Sequence, residues 1–170
     1  TAALEQVSYA LRRREPLVIV TGEIGTGKTM LCRTMLQRLE RLTFLSVISD
    51  PLLGRDDLLK QILVDFGVIS KGRTQLVQQD RHELVQALQE FLASLIPLQA
   101  HAVVMIDEAQ HLAPAVLEEI RLLSNIEADQ GTQLQIVLLG QTDLAVGGED
   151  GDGFHGCIGG RRGRSVRALR

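Results

Sequence analysis

The sequence predicts an α/β fold, a three-layer α/β/α sandwich whose mainly parallel sheet is covered by helices on both faces. Three observations carry this. Short, wholly apolar, β-branched runs recur along the chain; helical stretches of ten or more residues separate them; and glycine, proline or acidic residues close each run. A strand buried on both faces loses the in-out alternation of a half-exposed one, so continuous Val, Ile and Leu point to the interior of a parallel sheet.

Residues 1–15, TAALEQVSYALRRRE, read as an amphipathic helix. They contain no long apolar segment, so neither a signal peptide nor a membrane span is expected there. Leu17, Val18, Ile19 and Val20 form the first strand run, punctuated by Gly22 to Gly27. A helix follows from Lys28, with Leu31, Met35 and Leu39 on one stripe. Residues 44–48 read as the second strand, closed by Asp50 and Pro51. Leu58, Leu59, Ile62, Leu63 and Phe66 then have helical spacing, and Gly67 is the expected stop. After a polar loop holding Lys71 and Arg73, Asp80 and Glu83 look like a capping box. They open a helix whose buried face is Leu84, Leu88, Phe91, Leu92 and Leu95. Residues 102–106 are the third strand. Pro114 suits the first turn of the next helix, and residues 134–139 are the fourth strand. Residues 1–146 therefore form the expected core. Residues 147–170 hold eight of the 16 glycines and five arginines with almost no apolar periodicity, so this tail is expected to lack regular structure.

A chain of 170 residues, 45% hydrophobic and 23% charged, suffices for one soluble domain with its own core. The net charge of −3 argues against a globally basic nucleic-acid binder. Cys32 and Cys157 match no metal spacing, which fits a reduced, cytoplasmic setting. His82, His101, His111 and His155 show no metal spacing either. Arg121 reads as a surface ion-pair residue, and the tail arginines Arg161, Arg162, Arg164, Arg167 and Arg170 as solvated.

The chemistry is concentrated between the first strand and its helix. Gly22, Glu23, Ile24, Gly25, Thr26, Gly27, Lys28 and Thr29 fit G-x-x-x-x-G-K-[ST], the phosphate-binding loop, in full. Glycines let such a loop wrap an anion with its backbone N–H groups, and the helix behind it adds a positive dipole end. Lys28 is expected to reach the β- and γ-phosphates of ATP, and the Thr29 hydroxyl to complete the Mg²⁺ shell. The strand–loop–helix setting distinguishes this match from a chance glycine-rich turn. The third strand ends in Asp107 and Glu108. In a parallel sheet ligands lie beyond the carboxyl ends of the strands, the end that also carries the loop. Asp107 fits a Mg²⁺-organising carboxylate, and Glu108 the residue that orients and deprotonates the attacking water. Paired acids after a strand are often only solvated loop residues, but the complete phosphate loop upstream gives this pair a role. The second acid favours hydrolysis over phosphoryl transfer to a small molecule. Gln141, at the end of the fourth strand, is a candidate γ-phosphate sensor and catalytic residue.

GEIGTGKT, VVMIDEAQHL, LEEIRLLSNIE and LQIVLLGQTDL, in this order, resemble the ExeA/GspA group of AAA+ ATPases, including the general (type II) secretion ATPase and related transposition helpers of the TniB and MuB kind. The resemblance covers roughly residues 3–145. It implies an AAA+ (ASCE) core with the third and fourth strands side by side and the fourth next to the loop strand. It also implies Lys28 and Thr29 at the nucleotide and Mg²⁺, Asp107 and Glu108 as the acidic pair, and Gln141 as first sensor. Self-association is a further expectation from the family. The implied partners are secretion-apparatus proteins at the cytoplasmic face of the inner membrane or, alternatively, a transposase and DNA. In this group a helix, a fifth strand, an arginine finger and a helical lid follow the Gln141 region. Here the Gly/Arg-rich tail stands instead, as a shifted reading frame or a degraded gene end near residue 146 would produce. ATP binding with weak hydrolysis is therefore expected of this chain alone.

Overall fold

The computed structural model describes residues 2–25, 27–39, 42–50, 52–70, 80–126, 133–141 and 163–167, with the backbone alone at 2–4, 29, 32, 33, 36 and 163–167. In chain order the elements are α1 (Ala2–Arg12), β1 (Leu17–Thr21), α2 (Lys28–Gln37), β2 (Thr43–Ile48), α3 (Arg55–Asp65), α4 (Arg81–Leu95) and β3 (His101–Ile106). A 3-10 turn (Ala109–His111), α5 (Pro114–Ser124), β4 (Leu134–Gly140) and β5 (Gly163–Arg167) follow.

The five strands form one parallel sheet in the order β2-β3-β4-β1-β5. β3 and β4 are neighbours and β4 lies against β1, as the family resemblance implies. Every residue of β1, β3 and β4 is buried, which explains their unbroken apolar runs. β2 lies at one margin of the sheet and is only partly covered, so its sequence is more mixed.

Strand side chains alternate between two cores, one on each side of the sheet. Leu17, Ile19, Val104, Ile106, Ile136 and Leu138 belong to the larger core, with the buried faces of α3, α4 and α5. Val18, Val20, Val103, Met105, Val137 and Leu139 belong to the smaller one, with Val7 and Ala10 of α1 and Met35 of α2. This is the expected three-layer sandwich. Among the described residues no helix is long and apolar enough to cross a membrane.

Helix ends follow local chemistry. Asp80 caps α4 by accepting the Glu83 N–H at 2.9 Å, the Asp80 half of the capping box. At the end of α3, Gly67 has φ 78°; its N–H donates to Val64 O at 3.0 Å and the Val68 N–H to Leu63 O at 2.8 Å. This is a Schellman closure, which needs a residue tolerant of positive φ. Pro114 starts α5. The three helices of the larger core are also tied by one carboxylate. Glu119 of α5, fully buried, accepts Arg81 Nε at 2.8 Å and Nη2 at 3.0 Å, with Arg55 Nε at 3.4 Å. The hydrogen bond to Glu119 is the main cause that holds the Arg81 pKa above its ordinary value.

One expectation is corrected. The tail was expected to carry no regular structure and to stand in place of a fifth strand, yet Gly163–Arg167 is a strand paired in parallel with β1 over five residues. The reason is physical. The side of β1 away from β4 exposes a row of backbone donors and acceptors, and a short segment satisfies them through its own backbone without needing apolar periodicity. The rest of the tail, residues 147–162 and 168–170, lies outside the described residues, as do Lys71, Arg73, His155 and Cys157.

Candidate functional site

The carboxyl ends of β1, β4 and β3 are brought together by register. Thr21 is opposite Gly140, and Ile106 opposite Leu138. The next residues of each strand therefore emerge along one edge: Gly22 from β1, Gln141 from β4, and Asp107 with Glu108 from β3. Gly22 N–H donates to Gly140 O at 3.1 Å, and Asp107 N–H to Ile48 O at 2.9 Å, which extends the ladder into the site.

The loop between β1 and α2 needs its glycines for conformation. Gly25 has φ 82° and Gly27 φ 81°, both left-handed, and an added Cβ would meet nothing within 4 Å at either. The constraint is thus the backbone angle rather than space. Gly27 also occupies the N-cap of α2, so the positive end of that helix opens onto the loop. Lys28 is buried and folds back, donating to Gly22 O at 2.8 Å and Glu23 O at 2.9 Å. An ammonium carries three donors, and Lys28 also lines the adjoining cleft, so one group can brace the loop and meet an anion. Thr26 lies outside the described residues, as does the Thr29 side chain, while the Thr29 backbone belongs to the first turn of α2.

A cleft of about 730 Å³ lies beside the loop. Its lining includes Ile24, Gly25, Gly27 and Lys28 of the loop, Glu108 from beyond β3 and Gln141 from beyond β4. It continues along α2 past Met30, Thr34 and Gln37, which the sequence did not single out. Asp107 is half-buried at the end of β3, and its Oδ1 accepts the Glu108 N–H at 2.8 Å. Glu108 has φ 50° and ψ 39°, the left-handed region that glutamate rarely enters. The cleft joins backbone donors, an ammonium and a helix N-terminus with the Glu108 carboxylate; Asp107 adjoins Glu108 in the chain but is not part of the lining. That set suits a polyphosphate together with a hard cation held by oxygen ligands.

Gln110 is the polar residue at this site that sequence reasoning passed over. Its Nε2 donates to Glu108 Oε2, and its Oε1 accepts the Gln141 N–H at 3.1 Å. The stretch DEAQ contains it, but spacing alone gave no sign that the 3-10 turn would aim it at both neighbours. His111, at the end of that turn, is exposed. Arg121 pairs with Glu118 on the surface of α5, with Nη2 to Oε1 at 2.6 Å.

Comparison with known proteins bears on the family and the fold. The family profile described as AAA domain matches residues 11–145. General secretion pathway protein A of Aeromonas hydrophila is 38% identical over 142 residues, covering 84% of this chain and 25% of that protein. The chain thus spans about a quarter of that relative's length. Among solved structures, Cdc6p from Pyrobaculum aerophilum superposes with a TM-score of 0.70 at 20% identity, over 96% of this chain and 44% of that one. The ORC2 protein of Aeropyrum pernix, in its ADPNP-ADP complexes, gives a TM-score of 0.60 at 17% identity, over 99% of this chain and 47% of that one. At these identities the structural likeness concerns the fold alone.

Proposed function

The chain belongs to the AAA domain family, and from that premise we propose that it binds Mg²⁺-ATP in the cleft beside Lys28 and hydrolyses it to power assembly of a type II (general) secretion apparatus. One observation carries the ATPase reading: the glycine loop, Glu108 and Gln141 line the same cleft. A phosphate loop alone would serve many phosphoryl-transfer reactions, but a carboxylate across the cleft from it gives water a base.

In this reading the loop N–H groups and Lys28 hold the β- and γ-phosphates. Thr29 and Asp107 are the residues that would hold Mg²⁺, which would offset charge on the phosphate oxygens. Glu108 orients a water in line with the γ-phosphorus and takes its proton as the O–P bond forms, while ADP leaves with the electron pair of the broken bond. Gln141 senses the γ-phosphate from the end of β4. The secretion assignment is supported by the 38% identity to General secretion pathway protein A, which favours it over the transposition alternative. Secretion-apparatus proteins, and further copies of the chain, are then its partners, at the cytoplasmic face of the inner membrane.

Nucleotide affinity and single-turnover hydrolysis, measured on Glu108→Gln, test the chemistry. Expected is Mg²⁺-ATP affinity within about twofold of wild type and a rate lower by about 100-fold or more, the range typical of a lost general base. Retained turnover would remove Glu108 from the role. For the cellular role, a strain lacking the gene should lose secretion and regain it with wild type but not with Lys28→Ala; undiminished secretion in the deletion strain would refute it.

A further inference from the structure

We propose that Gln110 is a positioning residue for hydrolysis, which fixes the Glu108 carboxylate at the cleft by bridging it to the backbone at the end of β4. The proposal rests on the hydrolytic reading of Glu108.

The bridge has only one chemically consistent orientation. A backbone N–H can only donate, so the Gln110 atom facing the Gln141 N–H at 3.1 Å is the amide oxygen. The amide NH₂ must then face the other way, where it meets Glu108 Oε2. A carboxylate can only accept, so both ends of the side chain are matched and a flipped amide would be mismatched at both.

The bridge also has a task. Glu108 sits in a left-handed backbone conformation, φ 50°, that its own residue type does not favour. Among the bonds that hold it there are its N–H to Asp107 Oδ1 at 2.8 Å and its carboxylate to Gln110. The 3-10 turn that carries Gln110 is anchored by Ala109, fully buried in the larger core, and by the His111 N–H to Glu108 O at 3.0 Å. At the far end, Gln141 follows Gly140, whose carbonyl accepts the Gly22 N–H at the start of the phosphate loop. A continuous path therefore runs from Glu108 through Gln110 and the β4 end to the loop. Both partners of Gln110, Glu108 and Gln141, line the cleft, and Gln110 itself is not among the lining residues. It thus acts through Glu108 rather than on substrate.

Single-turnover hydrolysis and the affinity of a fluorescent ATP analogue, measured on the full chain, test this. The variants are Gln110→Ala, Gln110→Glu, Glu108→Gln and the double Gln110→Ala/Glu108→Gln. A misplaced catalytic group can slow a reaction by roughly 100-fold, so Gln110→Ala should lower the rate by about 10- to 100-fold with affinity within about twofold. Gln110→Glu keeps the chain length and an oxygen for the Gln141 N–H but turns its second oxygen onto Glu108. It should lose at least as much, because an acceptor then faces the Glu108 carboxylate where a donor stood, while an unchanged affinity separates this from a general loss of structure. The double variant should be no slower than Glu108→Gln alone, because the two act as one unit. Wild-type rates in Gln110→Glu, a parallel fall in affinity and rate in Gln110→Ala, or a further loss in the double variant would each overturn the proposal. If Glu108→Gln is silent while the Gln110 variants turn over normally, only the bridge is refuted. If wild type does not hydrolyse ATP, or Glu108→Gln does so normally, the functional reading fails with it.

Discussion

Removing the partly exposed Arg81 should destabilise this protein more than neutralising the fully buried Glu119. The Glu119 side chain is 0% exposed and accepts two hydrogen bonds from Arg81, at 2.8 and 3.0 Å, with Arg55 Nε at 3.4 Å. Arg81→Ala leaves that carboxylate in the interior with its weaker partner. Breaking a buried pair in this direction costs about 3–5 kcal/mol. The side chains of Arg81 and Arg55 are 36% and 43% exposed, so water screens part of the interaction and Arg55 covers part of the loss. That discount lowers the expected cost to about 2–3 kcal/mol. Glu119→Gln keeps the volume and one acceptor oxygen but removes the charge that had to be desolvated. It should cost about 1 kcal/mol, the value of an ordinary hydrogen bond. For a chain of this size each kcal/mol moves Tm by about 2–4 °C, so the melts should fall by roughly 4–12 °C and 2–4 °C respectively. Urea titrations followed by circular dichroism give the free energies directly. The double variant should be more stable than Arg81→Ala alone, because its buried charge is gone. Glu119→Gln proving equal to or worse than Arg81→Ala, or additive losses in the double variant, would refute the argument from uncompensated charge.

Lys28→Ala should weaken Mg²⁺-ATP binding at least tenfold, about 1.4 kcal/mol or more. It removes a charged donor from the cleft together with the brace on Gly22 and Glu23, and calorimetry reads the change. Gly67→Ala should cost about 1 kcal/mol by urea titration: the site is sterically open, so the penalty is left-handed backbone strain less the entropy gained in the unfolded chain. The Glu118 pKa lies below the usual glutamate value, chiefly because Arg121 donates to its carboxylate. The associated stability is therefore present above the unfolded-state pKa and is lost as pH falls through the lower folded one, so Arg121→Ala should move the NMR titration of Glu118 upward toward an ordinary glutamate.

How much of this was legible in the sequence depended on whether the cause was local. β1, β3 and β4 announced themselves because a strand covered on both faces must be apolar at every position, and all their residues are buried. Gly67 and Pro114 could be placed because helix termination and initiation are settled within a turn of chain. β5 was hidden because its pairing uses backbone groups that every residue carries, so the composition of Gly163–Arg167 holds no record of it. The Gln110 bridge was hidden for a different reason. It requires Glu108 to enter a left-handed conformation and Gln141 to arrive from a strand more than twenty residues later, and neither is encoded near Gln110.

The site itself is a product of register rather than of any single motif. Glu108 and Gln141 share a cleft with the loop because Ile106 is aligned with Leu138, and Thr21 with Gly140. A one-residue slip of β3 against β4 would carry Val104 and Ile106 from the larger core to the side where Val103 and Met105 pack. The two cores differ in their partners, one facing α3, α4 and α5 and the other α1 and α2, so the slipped strand would meet neighbours of the wrong shape on both faces. The alternation of side chains in β3 thus fixes where Asp107 and Glu108 emerge. The packing that makes the sheet stable is the same packing that brings Glu108 to the cleft beside the glycine loop.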